Sequence, residues 1–204
     1  MKRTSVLLSA TAACFVLAAC SGSETPAGPV FEGDLAEARN CATPEADSAI
    51  FSDAFDTSIR NAAANAEQSA AFIELARAGS CVFELESGLL YRIRTAQADT
   101  ASPTLGDRVT VHYRGLHPDG VAFNDSYAMG DPVTFPSDRL IPAWRQALPL
   151  MREGELWELY VSPDLGYGQM GTPGGPIAPN EALVFTLELL DLPDAQDADD
   201  AEAE

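Results

Sequence analysis

Val109-Thr110-Val111-His112-Tyr113-Arg114-Gly115 alternates apolar and polar residues and then stops at a glycine, the pattern of a half-buried strand entering a turn. Working outward, Pro132 to Pro136, Glu155 to Val161 and Ala182 to Leu190 predict further strands, and Ser87-Gly88-Leu89-Leu90-Tyr91-Arg92-Ile93 predicts one upstream. Pro142 to Leu148 predicts a short helix, with Pro142 suited to its first turn and Pro149 ending it. Many strands and one short helix make an α+β domain.

The pieces along this stretch also carry a family resemblance. After the opening strand come Asp119-Gly120-Val121-Ala122-Phe123-Asn124-Asp125-Ser126, then Leu140-Ile141-Pro142-Ala143-Trp144, then Gly166-Tyr167-Gly168, and finally Leu183-Val184-Phe185-Thr186-Leu187-Glu188-Leu189-Leu190. In this order and spacing they resemble the FKBP-type peptidyl-prolyl cis/trans isomerases, the macrolide-binding immunophilins, over residues 87–192. The resemblance implies a twisted antiparallel sheet wrapping one short helix, with an apolar pocket between them. It places Tyr113, Phe123, Asn124, Val133, Leu140, Ile141, Trp144, Tyr167, Ile177 and Phe185 at that pocket. Trp144 would be the floor, Ile141 would offer a backbone amide to a substrate carbonyl, and Tyr167 a phenolic hydroxyl to another. Proline-containing unfolded polypeptides are the implied substrates, and a macrolide the implied ligand class.

Several residues depart from the family pattern. Asn124 stands where the family commonly has an aspartate, so a pocket carboxylate becomes a neutral amide. Val133 replaces an aromatic and Ala178 a proline, Pro142 and Ala143 are unusual before Trp144, and the loop from Gln169 to Pro176 is one residue longer. These changes bear on rate, sequence preference and macrolide affinity more than on the fold.

The implied reaction needs no nucleophile, metal or cofactor. Rotation about an Xaa-Pro bond meets a barrier of roughly 18–20 kcal/mol because resonance stiffens and polarises the amide. At the twisted transition state that resonance is lost, and the group needs water less. A dry apolar pocket therefore favours the transition state over the planar ground state. No Ser-His-Asp or Cys-His arrangement is visible, and His112 and His117 do not join a cysteine cluster of metal-site spacing.

Composition narrows the alternatives. Acidic residues outnumber basic ones 31 to 12, a formal charge of −19, which argues against nucleic acid as a partner. The one lysine is Lys2, inside the stretch read as an export signal over 1–19: Met1-Lys2-Arg3, an apolar run from Val6 to Ala19, and small residues at its end. Leu17-Ala18-Ala19-Cys20 resembles a bacterial lipobox, which implies acylation of Cys20, a membrane anchor and a periplasmic setting. A plain secretory signal is the alternative. Ser21 after the cysteine resembles an outer-membrane address.

Residues 20–44 read as a flexible tether, poor in large apolar side chains. Between Glu45 and Ala78, within a segment taken as 45–86, alanine dominates and Ile50, Phe51, Phe55, Ile59, Phe72, Ile73 and Leu75 recur at spacings of three and four. That pattern predicts one or two amphipathic helices, stopped by Gly79. Related envelope isomerases dimerise through N-terminal helices. Here the stretch is much shorter, and packing against its own domain, or spacing that domain from the membrane, is the preferred reading. With Cys14 discarded and Cys20 acylated, Cys41 and Cys81 remain as an even pair in an oxidising compartment, which predicts a disulfide. Residues 193–204 form an acidic low-complexity tail. Besides the isomerase, two readings stay open: a slow binding module or chaperone for unfolded chains, and an envelope scaffold built on the N-terminal helices.

Overall fold

A computed structural model of the protein describes residues 32–42 and 49–193. The export signal, Cys20 and the tail beyond Pro193 lie outside them. Seven strands form one antiparallel sheet: β1 Phe83–Glu84, β2 Leu90–Thr95, β3 Arg108–Leu116, β4 Ala122–Asp125, β5 Val133–Pro136, β6 Leu156–Val161 and β7 Leu183–Asp191. The order is β1-β2-β6-β7-β3-β4, with β5 paired to β3 as well. β3, which contains Val109 to Gly115, is therefore central, pairing with β7 along one edge and with β5 and β4 in turn along the other.

The period of two in the sequence becomes two faces with different tasks. On one face Val109, Val111 and Tyr113 line up with Leu187, Leu189, Trp157 and Leu159, and against them packs the helix α4, Pro142–Ala147, through Ala143, Trp144 and Ala147. On the other face Leu90, Tyr160, Val184 and Leu116 form one cross-strand row. The helix α2, Ala62–Arg77, covers that row with Phe72, Ile73 and Ala76. Beside the row the buried carboxylate of Glu158 accepts hydrogen bonds from Arg92 Nε at 2.8 Å, Arg94 Nη1 at 3.1 Å and the Tyr160 hydroxyl at 3.0 Å. A buried charge is tolerable when it is paired in this way.

One expectation for the N-terminal segment needs correction. The stretch 20–44 is not tether throughout, because Glu32–Asn40 forms the helix α1. Leu35 and Ala38 are buried in the main core, and Arg39 donates to Glu155 Oε1 at 2.7 Å and to the Leu150 carbonyl at 2.8 Å. Two buried side chains do not lift a window's average composition, and the ion partner lies 116 residues away, so composition hides the helix. Between Glu45 and Ala78, among the described residues, only Ala62–Arg77 is α-helical. Asn61 begins it by accepting hydrogen bonds from the Ala63 and Ala64 amides, and Asp56 accepts from the amide and hydroxyl of Ser58 in a tight turn just before. Phe51 and Phe55 still pack on the sheet, as anchors of turns rather than as a helix face. Cys41 and Cys81 are bonded, with Cα atoms 5.7 Å apart, joining the end of α1 to the turn after α2.

Candidate active site

The site grows from the first turn of α4. Ile141 caps that helix with extended backbone, and among the described residues its N–H has no hydrogen-bond partner. Three residues on, Trp144 points into the space between helix and sheet and is 4% exposed. Three rings meet it edge-on: Tyr113 at 5.1 Å and 81°, Phe185 at 5.5 Å and 84°, and Phe135 at 6.3 Å and 77° between centroids. Phe123 meets Phe185 at 5.8 Å and 88°. Edge-to-face contacts set the positive edge of one ring against the negative face of the next, so the cluster is mutually locked as well as apolar. Ile177, Leu140 and Ile141 belong to the same apolar cluster.

Gly115 makes this close approach possible. It lies opposite Phe185 in the β3–β7 register, and a Cβ there would sit 2.5 Å from the Phe123 ring and 3.1 Å from Phe185. Tyr113 is held from behind by Ser126, whose fully buried hydroxyl accepts from the Tyr113 amide at 2.8 Å and lies 3.1 Å from its carbonyl. That oxygen also lies 2.9 Å from Nδ1 of His112. Burial pushes the phenols of Tyr113 and Tyr167 above their ordinary pKa, and for Tyr113 the neighbouring Tyr167 adds to the effect. Both therefore stay protonated donors at neutral pH. The indole Nε1 of Trp144 is buried without a partner among the described residues.

The residues expected from sequence divide as follows. Tyr113, Phe123, Leu140, Ile141, Trp144, Ile177 and Phe185 come together in one apolar cluster. Tyr167 stands at the rim, 38% exposed. Asn124 pairs with Gly115 along β4, and its exposed side chain makes no hydrogen bond among the described residues. Asp125 does not take over as a pocket carboxylate, because it caps the short helix α3, Ser126–Met129, through the Ala128 amide and pairs with Arg114 at 2.7 Å. Val133 faces Val111 in the β3–β5 register, and the ring on this strand belongs to Phe135, two residues on and so on the same face. Phe135 is the residue that sequence reasoning missed. The period of two between Val133 and Phe135 was the signal that could have found it.

An aromatic box without nucleophile or paired acid and base can bind an apolar, cyclic group and strip its water, which is what rotation about a prolyl bond requires. Comparison with known proteins agrees with this geometry. A family model for FKBP-type peptidyl-prolyl cis-trans isomerases matches residues 99–190. The chain is 44% identical over 126 residues to a peptidyl-prolyl cis-trans isomerase Mip of Coxiella burnetii, covering 62% of this chain and 54% of that protein. It is 39% identical over 131 residues to an outer membrane protein MIP of Legionella longbeachae, covering 64% and 55% respectively. A peptidyl-prolyl cis-trans isomerase of Pseudomonas syringae pv. tomato has a crystal structure that superposes with a TM-score of 0.60 at 32% identity, over 65% of this chain and 96% of that one. The chain belongs to the FKBP-type peptidyl-prolyl cis-trans isomerase family. It spans about half the length of the two curated relatives just described.

Proposed function

We propose that the protein is a peptidyl-prolyl cis/trans isomerase for exported polypeptides, anchored to a bacterial envelope membrane through Cys20 and facing the periplasm. The observation that carries the activity is the buried indole of Trp144 with three rings set edge-on around it. A prolyl ring rests on that floor between Phe123, Phe135 and Phe185. The free N–H of Ile141 and the phenol of Tyr167 hold the carbonyls on either side, so the chain is fixed at both ends while the bond between them turns. The pocket lowers the barrier by desolvation: the planar, polar amide loses more by leaving water than the twisted one does. A macrolide would occupy the same floor. No cofactor enters.

The isomerase reading is tested by following cis-to-trans conversion of a proline tetrapeptide in a protease-coupled assay with the purified protein and with Trp144→Leu. The protein should accelerate conversion, and Trp144→Leu should lose most of the acceleration. A wild-type rate equal to the uncatalysed rate would reject it. The exposed amide side chain of Asn124 in place of a family carboxylate favours a second reading, a slow binding module for unfolded chains, which the same rate decides.

The anchor rests on Leu17-Ala18-Ala19-Cys20, the envelope on the similarity to an outer membrane protein of Legionella longbeachae, and the outer-membrane address on Ser21. Cys20→Ser should move the protein from the membrane to the soluble fraction. Unchanged fractionation would reject the anchor. The apolar face of α2 is occupied by its own sheet, which supports a monomer over a dimer built through that face.

A further inference from the structure

The loop from Tyr167 to Ala182 carries two pocket residues, Tyr167 and Ile177, and runs into the strand that carries Phe185. Within itself the loop is tightly tied. The Ile177 amide donates to Thr172 Oγ1 at 3.0 Å, the Thr172 amide donates to the Ile177 carbonyl at 3.0 Å, and the Asn180 amide donates to the Gly168 carbonyl at 3.0 Å. Gly171, at φ +57°, lies so close that a Cβ there would be 2.5 Å from the Ile177 carbonyl oxygen. A segment bonded in this way moves as a unit, so its position depends on what holds it from outside.

Much of that hold comes from α2. Asn65 Nδ2 donates to the Pro179 carbonyl at 2.9 Å. The Ser69 hydroxyl donates to the Asn180 carbonyl at 2.8 Å and accepts from the Ala182 amide at 2.7 Å. Asn180, itself at φ +54°, returns a bond from Nδ2 to the Ala62 carbonyl at 3.0 Å. Asn65 and Ser69 are each 1% exposed. A buried amide and hydroxyl in a helix would be costly without partners, and here both find theirs on the loop backbone. They share one stripe of α2 with Phe72, Ile73 and Ala76, so the N-terminal half of the stripe addresses the loop and the C-terminal half the sheet.

We infer that α2 is a positioning element of the pocket, in which Asn65 and Ser69 set the placement of Ile177 through the backbone of Pro179–Ala182. Neither residue touches substrate. This rests on the isomerase reading for its kinetic consequence, but the placement itself can be read without activity.

The test compares four variants. Ser69→Ala removes two bonds to the loop, Asn65→Ala removes another, Ser69→Thr keeps the hydroxyl, and Ile73→Ala loosens α2 on the sheet while leaving the loop bonds in place. The readouts are kcat and KM on a proline tetrapeptide below each unfolding midpoint, and the Ile177 methyl resonance of methyl-labelled protein. Ser69→Ala and Asn65→Ala should shift the Ile177 methyl and lower kcat/KM about fivefold, mainly through KM. Ser69→Thr should restore both, and Ile73→Ala should lower the midpoint yet change neither. The inference is overturned if the Ile177 methyl stays put in both Ser69→Ala and Asn65→Ala, or if Ile73→Ala moves it as far. A silent wild-type enzyme would sink the isomerase reading, and the methyl shift would still decide the placement.

Discussion

Replacing Cys41 and Cys81 together by alanine should cost the fold about 4 kcal/mol. The bond closes a loop with a sequence separation of 40, and on the chain-entropy model a cross-link of that span removes roughly 13 cal/mol/K from the unfolded ensemble, about 4 kcal/mol at room temperature. Alanine keeps a Cβ at Cys81, which already sits at φ +57°, so the substitution adds no backbone strain of its own. The loss should fall most heavily on α1, nine residues long and otherwise held by Leu35, Ala38 and the Arg39–Glu155 pair. A helix that short has little stability of its own. Urea unfolding of the protein and the double variant gives the difference, compared as extrapolated free energies because the uncrosslinked chain exposes more surface and unfolds with a steeper slope. The thermal midpoint should fall by roughly 8–16 °C, at about 2–4 °C per kcal/mol for a chain of this size. Amide exchange in α1 should quicken before the rest of the domain. A free-energy loss below about 1 kcal/mol would refute the reasoning, since the cross-link would then not be restraining the unfolded chain.

Asn124→Asp should raise kcat/KM or macrolide affinity by up to about tenfold, equal to roughly 1.4 kcal/mol, by restoring the carboxylate that the family commonly has at this position, and a fall in both would contradict the expectation. Phe135→Leu should lower kcat/KM several times more than Val133→Ala, because Phe135 holds the ring that meets Trp144; equal effects in steady-state kinetics would return Val133 to the pocket wall. At Asp125 burial pushes the carboxyl up, but the Ala128 amide and the Arg114 guanidinium outweigh it and hold the carboxyl below its ordinary value. A lowered folded pKa means stability present above the unfolded value, about 3.9, and lost as pH falls through the folded one. The unfolding free-energy gap between the protein and Asp125→Asn should therefore be constant from neutral down to about pH 5 and narrow as pH falls below the unfolded value of about 3.9, whereas a gap that widens in acid would reverse the sign.

What could be read from the sequence was whatever depends on neighbours in the chain. The alternation in β3 and the proline at the start of α4 led to the strand and the short helix, because period and turn chemistry are local, whereas the wrapped sheet and most of the aromatic box followed from the family resemblance. What escaped depends on partners far away. The helix α1 is legible only once Glu155 stands beside Arg39. Asn65 and Ser69 look like ordinary polar residues on an alanine-rich helix until the loop carbonyls of Pro179 and Asn180 come to meet them. Glu181 is similar: it is buried, hydrogen-bonded to His117 and to the Ala178 amide, and nothing nearby in the chain marks it as an internal residue. Phe135 escaped for a different reason, since the substitution at Val133 drew attention to one position while the ring sat two residues along the same strand face.

The proposed isomerase turns prolyl bonds by desolvating them in the box around Trp144 while neutral donors hold the flanking carbonyls, with no group that must titrate. Exchange NMR on a proline tetrapeptide measures that interconversion at equilibrium, with no coupling protease. The purified protein at a few per cent of the peptide concentration should broaden and merge the cis and trans signals, and Phe123→Ala should restore much of their separation. The wild-type rate should stay level from about pH 6 to 9, because the raised pKa values of Tyr113 and Tyr167 keep both phenols protonated there. Signals as sharp with the protein as without it, or a rate that titrates within that range, would contradict the account.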